Sequence, residues 1–237
     1  MCKDCTRIYF EDEYCAVVYK RAGEDSQTFF TVLFPHKPFI AAVNRLDTPV
    51  SGLLLLAFST HVQTLLSCAF KDGAIKKEYW AVCERTGTAP AENNGPEKLE
   101  HWVGFRNKTR KAFIGAGEKQ HSPILKKAVL YWTLCGKGER YDFIRINPET
   151  GRTHQIRVQM AAIGRPIKGD LKYGARRSER GGGIRLHAFG LHFTHPITGK
   201  RITVEAEPLY QDSLWNACKK ACANRINQDG MKSGEAD

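Results

Sequence analysis

The chain has 237 residues, enough for one large or two small domains and a sizeable core. Apolar residues make up 42% and charged residues 26%, a globular balance, and no apolar run approaches the roughly 18 residues of a membrane span. Lys and Arg number 36 against 25 Asp and Glu, a formal charge of +11 that is the footprint of a polyanionic partner.

The opening "MCKDCTRIYF" lacks the basic–apolar–small layout of a signal peptide, so a cytoplasmic protein is expected. Eight cysteines are scattered, mostly within apolar patterns, and read as reduced, buried thiols. Cys2, Cys5, Cys218 and Cys222 lack the spacing of a zinc ribbon or finger, and no metal is expected.

In chain order, "RIYFEDEYCAVVYK" reads as strand, acidic turn, strand, with Ile8 and Phe10 on one face and Ala16 and Val18 on another. "FIAAVN" is a short strand that leads into "NRLDTPVSG", and "LLLLAF" is a buried central strand. A helix follows, capped by Ser59, with Val62, Leu65, Leu66, Ala69 and Phe70 facing the core and Gly73 stopping it. "IKKEYWAVCE" is a strand with Lys77, Tyr79, Ala81 and Cys83 on one side. "RTGTAPAENNGPEK" is a loop, either a surface excursion or the seam between two halves.

Strands resume at "LEHWVGF" and "RKAFIGA". "KKAVLYWTLC" and "RYDFIRINP" pair around Gly136–Gly138. "ETGRTHQIRVQMAAIG" reads as a turn into a helix, with Thr153 as cap, Ile156, Met160 and Ile163 buried, and Gly164 at the end. A basic, Gly-rich loop covers residues 165–183, and a hairpin turns at Pro196–Gly199. A last helix puts Trp215, Cys218 and Cys222 on one side, and residues 227–237 form a polar, loose tail. Strands outweigh helices, so the fold class is α+β with a mixed, mostly antiparallel sheet and flanking helices.

Three stretches carry candidate chemistry. Asp47 ends a short strand, where a carboxylate can be held at a cleft mouth or can simply form the turn before Pro49. Arg152, His154 and Arg157 cluster at a helix start, with His154 and Arg157 on one face. Tyr79 follows Lys76 and Lys77 in a strand, where a Tyr commonly packs with its hydroxyl bonded. Basic clusters with aromatics nearby, such as Tyr79, Trp102, Phe105 and Tyr173, suit RNA.

Taken together and in order, "NRLDTPVSGLLLLA", "IKKEYWAV", "ETGRTHQIRVQMAAIGRPIKGDLKYG" and "LHAFGLHFTHPITGK" make the chain resemble the RluA-type RNA pseudouridine synthases over about residues 7–208. The opening "IYFEDEYCAVVYKRAG" is similar to the family's first strand pair. Two positions depart: Asn44 stands where the family has His, and Arg21 where it has Pro. The resemblance implies the pseudouridine synthase fold with a central RNA-binding cleft. It implies one catalytic domain over 1–226 with a bipartite sheet and no separate S4-like domain.

It also implies isomerisation of uridine to pseudouridine in rRNA or tRNA, without cofactor or metal, by a chain acting as a monomer and not at a membrane. Asp47 is then the essential carboxylate, which either attacks C1′ or removes the 2′ hydrogen. Arg157 is its ion-pair partner, and Tyr79 lies under the uracil and assists loss of the C5 proton. Arg45 fills the place of the flipped base. Lys76, Lys77, Arg152, His154, Lys168, Lys172, Arg176 and Arg177 are RNA contacts, and Leu186 lines the uracil pocket. A silent RNA-binding relative would have lost Asp47 or Tyr79. A glycoside hydrolase would need a second, paired carboxylate in a motif.

Overall fold

The computed structural model describes residues 7–86, 95–115, 122–179 and 181–233, with side chains as far as Arg225. Cys2, Cys5 and much of the loop read as a seam lie outside the described residues. Within the described residues are eleven strands and three α-helices. The chain gathers into two compact units, one made of Met1–Tyr79, Arg180–Gly183 and His187–Pro208, the other of Trp80–Glu179, Ile184–Leu186 and Leu209–Asp237. The passage between them falls inside a strand, at Tyr79–Trp80, and not in the Gly/Pro-rich loop where the sequence offered a seam. A continuous strand keeps its backbone hydrogen bonding where a loop would break it, so composition gives no signal there.

The first unit is built around β4 (Ser51–Ala57). β1 (Ile8–Glu11) pairs antiparallel with β2 (Cys15–Lys20), and β2 pairs antiparallel with β4 from Cys15↔Ala57 to Lys20↔Gly52. The short β3 (Ala41–Ala42) pairs antiparallel with the far end of β4. The near end of β4 runs parallel to β10 (Leu186–Thr194), at Ser51↔His187 and Gly52↔Ala188. β11 (Arg201–Glu205) closes a hairpin with β10. One parallel pair among antiparallel ones makes the sheet mixed, as the sequence predicted.

Leu53 to Leu56 are fully buried, because β4 is covered on both faces. Each such side chain contributes roughly 1.5–3 kcal/mol of burial. β2 is likewise buried at every position, Lys20 included. α1 (Thr60–Lys71) is capped as expected, Ser59 Oγ accepting the Val62 N–H at 3.2 Å. Its Val62 and Leu66 pack with Val17, Tyr19, Leu53, Leu55, Leu191 and Phe193.

In the second unit β6 (Glu97–Arg106) pairs antiparallel with β7 (Lys111–Ile114) and with β8 (Lys126–Lys137), which pairs with β9 (Tyr141–Pro148). β5 (Lys76–Glu84) begins in the first unit and ends in the second. α2 spans Gln155–Ala162 and α3 Ser213–Ser233. α3 buries Trp215, Cys218 and Cys222 together, as the spacing predicted. It also runs to Ser233, into the stretch read as a loose tail. Once a helix exists, each added residue costs little, and this polar stretch contains no proline to end it.

Candidate active site

Asp47 is half-buried in the short loop between β3 and β4, and the loop is pinned at several points. Asp47 O accepts the Val50 N–H at 2.9 Å, and Thr48 O accepts the Gly23 N–H at 2.7 Å. Next door, the Ser26 hydroxyl donates to Leu46 O at 2.6 Å and accepts the Leu46 N–H at 3.1 Å. Asn44 acts at the loop's other end. Its Oδ1 accepts the Leu55 N–H at 2.8 Å, one residue past the point where Val43 N–H donates to Leu55 O. A side-chain amide thus replaces a strand carbonyl in the β4 ladder. That gives the residue at the family's His position a backbone-holding role.

Lys20 is fully buried, and sequence reasoning passed over it. Its ammonium donates to the carbonyls of Arg21 (3.0 Å), Glu24 (2.9 Å) and Thr48 (3.2 Å), tying the loop after β2 to the turn after Asp47. Burial pushes its pKa down to about 8, against the opposing pull of Glu24, Asp47 and Asp25. The only available signal was a Lys at the end of a strand that is apolar on both faces.

Tyr79 is 8% exposed, and burial first, then the charge of Asp47, raises its pKa above the ordinary phenol value. The two side chains therefore feel each other within one unit. The ring carries a neutral phenol at physiological pH, able to donate a hydrogen bond and unsuited to act as a phenolate base. That narrows the expected part of Tyr79 in removing the C5 proton.

Behind the loop, His187 is fully buried, with Nδ1 2.8 Å from Ser51 Oγ and Nε2 2.7 Å from Ala206 O. Burial lowers its pKa to about 4, the Ala206 carbonyl opposing. Neutral His187 donates from Nε2 to Ala206 O and accepts the Ser51 hydroxyl at Nδ1. This chain fixes β4 to β10 just after the Asp47 loop. The sequence placed His187 in its Leu-His-Ala motif without giving it a partner.

The second unit holds several of the other expected residues, Arg152, His154 and Arg157 among them. The cap of α2 is His154, in the left-handed region at φ 55° with no side-chain cap bond, and not Thr153. His154 therefore lies before the helix and does not share a helical face with Arg157. Gln155 takes over the capping work: its Oε1 accepts the Arg152 N–H (3.0 Å) and the Thr150 hydroxyl (2.7 Å), and its Nε2 donates to Val129 O (3.0 Å). His154 Nδ1 lies 2.8 Å from Tyr173 Oη, and that oxygen also accepts the Ala112 N–H at 2.7 Å.

Arg157 is 5% exposed, and its fork is bidentate on Asp170, Nε to Oδ2 at 2.7 Å and Nη2 to Oδ1 at 2.9 Å. Asp170 comes from the Gly-Asp of the third motif, to which no role had been attached. Arg and Asp so deeply buried require each other, since either alone would leave an uncompensated charge.

The basic residues divide into two groups. Arg45, Lys76, Arg152, Lys172, Arg176 and Arg177 are exposed, as phosphate contacts must be. Arg152 Nε donates to Lys127 O and Lys172 Nζ to Arg110 O, leaving their charges outward. Lys77 is half-buried, and burial lowers its pKa to about 8. Lys168 has its ammonium bound to Glu179. Glu179 also takes Arg185, whose other partner is Asp212. That network holds the basic loop from inside. Leu186 is 3% exposed at the start of β10.

Among the described residues, Asp12, Cys15 and His195 bring potential ligand atoms within 4.8 Å of one another. His195 Nδ1 accepts the N–H groups of Ile197 and Thr198, which puts the ring proton on Nε2, 2.8 Å from Asp12 Oδ2. Burial, then Asp12, pushes the Cys15 thiol up to about 12, so it is no ready thiolate. The group is a His–Asp clasp between two turns. No helix among the described residues is long and apolar enough to cross a membrane.

Comparison with known proteins places the chain in a family. The family model for RNA pseudouridylate synthase matches residues 14–162, and the chain belongs to that family, in its RluA-type branch. It is 33% identical over 222 residues to "tRNA pseudouridine synthase C" of Yersinia pestis, covering 84% of this chain and 85% of that one. It is 32% identical over 209 residues to "Ribosomal large subunit pseudouridine synthase D" of Vibrio parahaemolyticus, covering 80% of this chain but 61% of that one. In fold it is similar to "Human RNA Pseudouridylate Synthase Domain Containing 1", with a TM-score of 0.69, 23% identity, and coverage of 90% of this chain and 86% of the other. As a member of the family the chain is an RNA pseudouridine synthase, isomerising uridine to pseudouridine.

Proposed function

We propose that Asp47 is the carboxylate that acts at the ribose of the target uridine, in tRNA or ribosomal RNA, inside the cell's reducing compartment. Relatives named for tRNA and for the ribosomal large subunit lie at near-equal identity, which supports the pair and does not choose between them. The described cysteines are all free, which supports the compartment.

The observation that carries the assignment is the loop itself. A single carboxylate is held by backbone bonds, by Ser26 and by buried Lys20, with its charge reaching Tyr79. Preorganised placement of this kind is what a reaction at C1′ needs. The C1′–N1 bond breaks, the uracil turns, and C5 joins C1′. The proton leaving C5 balances the one gained at N1, so nothing is consumed.

Asp47 either attacks C1′ or removes the 2′ hydrogen. Lys20 supplies the positive field on its own unit, and Arg157 supports the second unit through Asp170. Tyr79 lies against the uracil as a neutral phenol. Arg45 fills the gap left by the flipped base, whose unstacking costs a few kcal/mol. The test is to map pseudouridines in total RNA from cells with the wild-type gene and with Asp47→Asn. Sites lost in the variant identify the substrate. Unchanged sites would remove Asp47 from the chemistry.

A further inference from the structure

The second unit contains a cavity of about 520 Å3 that none of the catalytic assignments uses. Four guanidinium groups line it, from Arg85, Arg140, Arg176 and Arg177, together with Tyr141 and the carboxylates of Glu84 and Glu139. Its formal charge is therefore +2, four Arg less two Glu.

The charges differ in how far they are already engaged. Arg85 is fixed: its Nε lies 3.1 Å from Asp142 Oδ1, and its Nη2 donates to Gly138 O at 2.6 Å and Glu139 O at 3.0 Å. Glu84 is buried, and its Oε2 accepts the backbone N–H of Arg176 at 2.9 Å. That bond anchors the turn that presents Arg176 and Arg177. Their own side chains are exposed and form no ion pair among the described residues. Arg140 meets Glu139 only at 3.7 Å, with both mostly in solvent, where a pair is worth little. One wall is thus rigid and internally balanced, while three guanidinium groups stand at the opening without a strong partner. Gathering like charges this way does nothing for stability. It suits an anion, and a guanidinium fork matches a phosphate in particular. The volume falls in the range of small-ligand sites, which span about 300–1,000 Å3.

We propose that this cavity is a docking subsite for the RNA substrate. It takes one backbone phosphate on Arg176 and Arg177, with Arg140 alongside, and the attached nucleoside against Tyr141. This rests on RNA being the substrate and deepens it, because it assigns part of the RNA affinity to one place in the fold.

The test measures binding of the full chain to unmodified transcripts of a tRNA and of a ribosomal RNA fragment, between 50 and 200 mM salt. Loss of this phosphate contact should make the log–log salt slope of R176A/R177A shallower by roughly 0.7–0.9. Affinity at the low-salt end should fall at least about tenfold on the same principle. K200A/R201A removes the same charge from exposed positions outside the cavity and should shift the slope by less than half as much. Glu139→Gln removes a carboxylate from the lining and should tighten binding about two- to threefold, since charge of one sign sets the local field.

Equal slopes for the two double variants, or a wild-type slope for R176A/R177A, would overturn the subsite. Inorganic phosphate at matched ionic strength should compete with the transcripts for wild type and not for R176A/R177A. Competition by phosphate with an unchanged transcript slope would make it a free-phosphate site and overturn the RNA assignment. Pseudouridine assays on the same proteins separate the readings. Loss of the Asp47 assignment with the R176A/R177A slope change intact leaves the subsite standing, and the converse leaves Asp47 standing.

Discussion

Gly52 is the second residue of β4, five residues after Asp47, and Gly52→Ala tests how tightly the Asp47 loop is seated. Its φ is +121°, a conformation L side chains rarely adopt. An added Cβ would fall against the carbonyl oxygen of Ala188 and lie 2.6 Å from its nitrogen and 2.7 Å from its carbonyl carbon. These are backbone atoms of the parallel partner strand, so no rotamer change relieves the overlap. The left-handed penalty is about 1–2 kcal/mol, and overpacking adds about 1–3 kcal/mol. The sum, about 2–5 kcal/mol, is a large share of the 5–15 kcal/mol that holds a typical domain together.

Gly73→Ala is the control. It has φ +71° with no atom within 4 Å of the added Cβ, and so carries only the backbone term. Urea unfolding of both variants should show Gly52→Ala less stable than Gly73→Ala by at least about 1 kcal/mol, the low end of the overpacking cost. Pseudouridine formation should fall with it, because relief requires β4 and β10 to separate at the end that carries the Asp47 loop. Equal destabilisation of the two variants, or full activity in Gly52→Ala, would refute the close-seating argument.

Asp47→Asn should abolish turnover while RNA affinity in a filter assay stays within a few-fold, and residual turnover above a thousandth of wild type would count against it. Tyr79→Phe should cripple activity and leave the urea midpoint nearly unchanged; full activity would restrict Tyr79 to packing. Asp170→Asn should cost about 3–5 kcal/mol, because it breaks a buried ion pair by removing one charge, and a loss under about 1 kcal/mol in urea would show that the pair is not essential to the fold. For His187 the unfolded pKa is near 6.5 and the folded one about 4, so the unfolded state binds more protons between them. Stability is therefore full above about pH 6.5 and declines as pH falls toward 4, and His187→Asn should flatten the urea midpoint between pH 6.5 and 5. An unaltered slope would remove His187 as its source.

Local pattern settles much of this protein. The run of four leucines reads as a buried strand and Ser59 as a cap, and both are found so. The family was legible because its motifs are runs of adjacent residues, and the same runs made Asp47 the candidate carboxylate. Pairing across the chain was not legible. Arg157 forks onto Asp170, and Lys168 pairs with Glu179. Charge partners are chosen by where folded elements cross, which no spacing records.

Lys20, Gln155 and His187 stayed silent for a related reason. A buried polar side chain is tolerable only if distant carbonyls and hydroxyls meet it, and the sequence does not display those partners. Asn44 shows the division most plainly. The sequence identified it as a departure from the family's His and could go no further. The tertiary structure gave it the Leu55 N–H, a backbone group left over because β3 is only two residues long. Sequence determined which segments would be buried and which loop would carry the carboxylate. Tertiary structure decided which polar atoms hold that loop still, because hydrogen bonds are satisfied in space and not along the chain.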